Sequence, residues 1–200
     1  MGKKSRKERE EERESFAVKR SREKRKSLLM AAGIFGIIAV IVGYSAYTFV
    51  TTQGAVPGAP PGAGTLGDEH EHISILVRLF GDRFDFSSPS YQIKSSWIHF
   101  EGADGNTIHR HSSGVKMGYL FGTLGLELTD ECFVFKDGRD FCTNEDYSLK
   151  FYINHDQVDG NEFLGHVGQE DDRVLISYGN ETPEEIEEQL REVDAQAIRR

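Results

Sequence analysis

The 200-residue chain predicts an α+β fold: a single apolar helix near the N-terminus, then a small domain of short strands with one helix among them, a cysteine-closed hairpin and a C-terminal helix. Three observations carry that expectation. An uncharged run over residues 28–50 is long enough, at about 1.5 Å per residue, to cross a bilayer. Segments between residues 68 and 181 alternate apolar and polar side chains with the period of strands. Beyond residue 181 the pattern becomes acids first, arginines last, around one apolar stripe, which is how a helix reads.

The elements follow in order. Residues 1–27 form a basic tail, with about 12 Lys/Arg against about 6 Glu over 1–26. The positive-inside bias therefore predicts a cytoplasmic tail, a membrane helix over 28–50 with Tyr44, Tyr47 and Phe49 at its outer interface, and everything after Val50 outside the cell. A cleaved signal peptide is the competing reading, since "SAYTF" offers a small-residue cleavage site. The apolar run exceeds the usual h-region and its charged leader is long, which favours an uncleaved anchor. Interleaved acids and the lack of an aromatic platform argue against nucleic acid and for the bilayer surface as the tail's partner.

Residues 51–67, "TTQGAVPGAPPGAGTLG", read as a Gly/Ala/Pro linker, and 68–181 as one small domain. The chain's net charge of −9, less about +6 in the tail, leaves about −15 for the outer part, again unsuited to nucleic acid. In "HISILVRLFG", Ile73, Ile75, Val77 and Leu79 share one side of a half-buried strand that turns at Gly81-Asp82 into a second strand bearing Phe84 and Phe86. "SSWIHFEG" and "NTIHRHSS" are two further strands around the turn "ADGN". Next, Val115, Leu120, Phe121 and Leu124 predict a short helix, capped by Ser113 and stopped by Gly125.

The two cysteines, Cys132 and Cys142, flank "FVFKDGRDF". A three-residue loop Lys136-Asp137-Gly138, with Gly138 left-handed, would set Phe135 opposite Arg139 and Cys132 opposite Cys142, so a structural disulfide is expected outside the cell. A redox pair or two metal ligands are weaker alternatives. "SLKFYINHDQV" and "DDRVLISYG" alternate as strands. Residues 182–200 form an amphipathic helix, with Thr182 as N-cap, Pro183 at N1, Glu185 at N3 and a stripe of Ile186, Leu190, Val193 and Ala197. That stripe packs on its own domain or receives a partner helix.

The order of elements over Ser113–Gly179, with "LFGTLG" ending the helix and "NHDQV" and "DDRVLI" in the last strands, resembles the β-grasp superfamily. The resemblance implies a small mixed sheet with one packed helix, a β-grasp-like domain. The sulfur-carrier chemistry of some members is not implied, because Gly179 is followed by Asn180 and a further helix rather than a Gly-Gly terminus. The whole chain also resembles membrane-anchored archaeal proteins with a His-rich extracytoplasmic domain, which implies lineage and no chemistry.

The seven histidines all lie beyond the apolar run, and two His-x-His pairs stand out: His70/His72 and His109/His111. On a strand, i and i+2 share a face, so each pair can present two imidazoles to one ion. His99 and Glu101 share a face of the neighbouring strand. The expected site is His99, His109 and His111, joined by His70 and His72, with Glu101 holding a ring in place. Imidazole-rich ligation without free thiolates suits Zn or Cu(II) rather than Cu(I). His155 and His166 read as structural. No nucleophile elbow, phosphate loop, HExxH or dinucleotide fingerprint occurs, so the chain reads as a binding protein, not an enzyme. The expected function is a membrane-anchored extracytoplasmic domain that stores, delivers or senses metal, or supports a membrane protein complex. The alternative is a non-catalytic accessory subunit without metal, which requires an exposed apolar patch.

Overall fold

The computed structural model describes residues 6–51 and 58–200 and divides into two compact units, Met1–Gln53 and Gly54–Arg200. Residues 1–5 of the predicted tail and 52–57 of the predicted linker lie outside the described residues. The described residues of the first unit form one helix, α1 (Arg6–Thr51), so the basic segment from Arg6 and the apolar run share a continuous helical backbone. Within it lies a helix long and apolar enough to cross a membrane, a test that a secretory leader also passes. Its large apolar side chains, Leu28, Ile34, Phe35 and Ile41 among them, are exposed.

The second unit contains β1 (Glu71–Leu79), β2 (Asp82–Arg83), β3 (Ile98–His99), β4 (Thr107–Arg110), α2 (Met117–Leu124), β5 (Glu127–Leu128), β6 (Cys132–Val134) and β7 (Asp140–Cys142). It continues with β8 (Ser148–Ile153), β9 (Asp156–Val158), α3 (Gly160–Gly165), β10 (Arg173–Gly179) and α4 (Pro183–Ala195). The main sheet runs β3-β4-β1-β10-β8-β9, with β2 also pairing with β1. Only β1 and β10 are parallel, Val77 opposite Ile176, and the other pairings are antiparallel, so the α+β expectation holds with a mixed sheet.

One face, bearing Ile73, Ile75, Val77, Val174 and Ile176, packs in the main core with Met117, Leu120, Phe121 and Phe163 of α2 and α3. On the other, Leu76, Tyr152 and Leu175 meet Ile186, Leu190 and Val193 of α4. The C-terminal stripe is therefore used within the domain. Covering both faces explains why β1 is buried continuously over residues 72–77, where the alternation predicted a half-buried strand. Ala197 falls past the end of α4, while the Thr182 cap, its reciprocal bond with Glu185 and Pro183 are as expected.

Three local expectations are corrected. α2 begins at Met117 after Lys116, not at Ser113, whose hydroxyl instead donates to Asp68. "SLKFYINHDQV" is a hairpin of β8 and β9, because Asn154 and His155 take the left-handed conformations (φ 50° and 75°) of a tight two-residue turn. β2 is only two residues long; Phe84 and Phe86 leave the sheet for an aromatic cluster with Tyr91, and Phe84 also meets Phe135. The cysteine hairpin matches its sequence closely: the Phe135 amide donates to Arg139, Gly138 sits at φ 88°, and Cys132 and Cys142 are paired and bonded. It belongs to a separate three-stranded sheet, β5-β6-β7.

Candidate metal centre

The antiparallel register of β3, β4 and β1 sets His99 opposite His109 and His109 opposite His72, a row of three imidazole-bearing residues across three strands. Two residues along, the pairing of Glu71 with Arg110 places His70 alongside His111. Their ring centroids are 4.4 Å apart, with His70 and His72 4.6 Å apart, His72 and His109 4.9 Å, and His99 and His111 4.8 Å. Strand alternation puts these five rings on one face while the side chains of Ile108 and Arg110 enter the interior. His72, His99 and His109 are buried, His111 is half-buried and His70 is exposed.

The "HSSG" turn fastens the His70 segment to this face. The Gly67 amide donates to the His111 carbonyl (2.6 Å), the Gly64 amide to Ser113 (2.8 Å), and the Ser113 amide and hydroxyl both donate to Asp68 (2.8 and 2.7 Å). The Ser113 hydroxyl and amide hold the Asp68 carboxyl below its usual range. Beneath, fully buried Arg110 donates to the carbonyls of Gly168 (2.8 Å) and Ser112 (2.6 Å) and to Glu69. The approach to His70 is thus tied from both sides.

One ligand atom each from His70, His72 and His109 lies within 4.8 Å of the other two, an arrangement positioned to hold a metal ion. His72 supplies the sharpest detail. Its Nδ1 meets Glu170 Oε2 at 3.1 Å and its backbone amide donates to the same oxygen at 2.7 Å, leaving buried Nε2 without a hydrogen-bond partner among the described residues. A carboxylate on one ring nitrogen with the other left bare is how a metal-bound histidine is held in its tautomer. Arg200 Nε lies 3.0 Å from the second Glu170 oxygen.

His109 Nδ1 and His111 Nε2 are likewise buried and unpartnered among the described residues. Burial lowers the His109 pKa, against the Glu101 carboxylate, which raises it. Burial, then His99, His70 and His109, bring His111 down to about 4. Both rings are therefore neutral near pH 7, the form that binds metal. Glu101 faces the other end of the row, 3.2 Å from His99 Nε2 and 3.8 Å from His109 Nδ1, and the His99 contact holds its carboxyl low.

All five predicted histidines and Glu101 are thus brought together, although His70 and His72 belong to the closest trio and His99 stands at the far side. Sequence reasoning missed Glu170. The "QEDD" cluster was visible, but only the parallel pairing of β1 with β10 brings it to the start of β1. His155 and His166 pair with Asp194 and Asp172, each at 2.8 Å, outside the cluster. The cysteines are used up in their disulfide, and Met117 is in the core, so the described face offers nitrogen and oxygen donors without sulfur. No protein-family profile, curated protein or solved structure matches the chain.

Proposed function

We propose that this chain is a membrane-anchored, non-catalytic metal-binding protein whose outer domain takes up Zn²⁺ or Cu²⁺ through His70, His72 and His109. The observation that carries this is the convergence of three imidazole ligand atoms within 4.8 Å, one from a ring whose other nitrogen is already held by a carboxylate. Three nitrogens fill three positions of a tetrahedral ion and leave a fourth open. An open position suits an ion that is handed on or sensed, and His70, the exposed member, stands where an ion would arrive. The basic segment of α1 favours an inside tail and an outside metal domain, beside any membrane complex it serves.

The test uses the detergent-solubilised full-length chain, stripped with chelator and dialysed against Zn²⁺ or Cu²⁺, with bound metal measured by mass spectrometry. Wild type should retain metal, and His72→Ala with His109→Ala should lose the ion held by the trio. Glu170→Gln should weaken that ion's binding by about 10- to 100-fold without unfolding the domain, because the amide oxygen can still accept from the His72 backbone while the carboxylate charge on the His72 ring is lost. Metal binding in wild type that is unchanged by all three substitutions would remove this reading.

A further inference from the structure

We infer that the histidine face holds two ions side by side, the second bound by His99, His111 and Glu101. This rests on the metal-binding reading above and extends it to the residues that the His70, His72 and His109 trio leaves over.

The first support is His99 itself, whose two ring nitrogens both face acceptors. Nδ1 lies 2.7 Å from the Ser95 carbonyl and Nε2 lies 3.2 Å from Glu101 Oε2. The Ser95 carbonyl can only accept, so Nδ1 gives it an N–H. Nε2 faces the half-exposed Glu101 carboxylate, and the 3.2 Å between nitrogen and oxygen is within the span of two donors on one ion. A cation seated there would be ligated by both.

The second support is independent. His111 Nε2 is buried without a hydrogen-bond partner among the described residues, although its ring lies 4.8 Å from that of His99. Buried polar atoms are rarely left bare unless an ion, a water or a function completes them. Donor number points the same way. Five imidazoles and one carboxylate offer six donors, too many for one tetrahedral ion and enough for two with three donors each. Glu101 lies at the junction, with its other oxygen 3.8 Å from the unpartnered His109 Nδ1, and its negative charge offsets part of the charge of two neighbouring cations.

The experiment is metal counting on the full-length chain in detergent, with Zn²⁺ for stoichiometry and Cu²⁺ for spectroscopy. Wild type should bind two Zn²⁺ per chain and give a half-field Cu²⁺ paramagnetic resonance signal, the mark of two coupled ions. His99→Ala with His111→Ala should bind one and lose that signal, while His70→Ala with His72→Ala should also fall to one. Glu101→Gln, which keeps the side chain's shape, should weaken the second ion about tenfold or more and leave the first nearly unchanged. One ion per chain in wild type, lost with His72→Ala but kept in the His99/His111 variant, would overturn the second site while leaving the first. Absence of any bound ion would overturn both readings.

Discussion

His111 carries the least basic of the shifted imidazoles, and its stability consequence has a definite sign. The unfolded chain takes up this proton near the ordinary His pKa of 6.5, whereas in the fold burial and three neighbouring histidines delay it to about 4. Between those values the unfolded state binds more protons, so stability is full above about pH 6.5 and is lost progressively as pH falls toward 4. His109 is displaced in the same direction. The metal-free chain should therefore show a urea midpoint that drops from pH 7 to pH 5, and His111→Asn should flatten that drop. Trp97, the chain's single tryptophan, whose carbonyl accepts from the His111 amide, is a suitable fluorescent reporter. An identical pH slope in wild type and variant would contradict this account of His111. That 109 and 111 share a face was legible from strand period alone, as was the link of His99 to Glu101. The lowered pKa of His109 and His111 was not legible, because it arises from burial and from neighbours on other strands.

The cysteine hairpin stands on local chemistry. Its loop is three residues long, its glycine has the left-handed backbone the bulge requires, and its register brings the sulfurs together. Replacing both cysteines by serine should reduce stability by about 2.5 to 3 kcal/mol on the chain-entropy account of a ring this short. Denaturation of the oxidised chain and of the double variant checks this, and equal midpoints would count against it. Metal content should not change, since the hairpin belongs to a different sheet from the histidine face. Elements specified within a few residues were legible in this way, as the α4 capping box also shows. Elements decided by distant partners were not. Ser113 looked like a helix cap, yet Asp68, 45 residues away, claims its hydroxyl. The alternation of β1 looked half-buried because nothing in its own residues announces that α4 covers its second face.

For the whole chain, the helix long and apolar enough to cross a membrane and the basic segment before it yield a topological prediction. Protease added outside intact cells should digest the domain after the apolar run and spare the tail, and the reverse pattern would remove the extracytoplasmic assignment. The fold as a class was legible because patterning specifies layers; the five histidines and Glu101 were legible as candidates, but neither Glu170 nor the geometry was, since β1 and β4 had to be paired before His72 could meet His109. The parallel pairing of β1 with β10 has a further consequence, in time rather than in space. The contact of His72 with Glu170 closes a loop of 98 residues, so this contact is of high contact order and forms slowly. During synthesis all five clustered histidines leave the ribosome before Glu170 and the last strand exist. For that interval each His-x-His pair is a flexible chelator with no carboxylate to fix the His72 tautomer. An ion captured then stabilises the unfinished chain as well as the finished one, which lowers the folding gain from metal. On the proposed metal-binding reading, assembly is cleanest when the domain closes first and meets an ion afterwards.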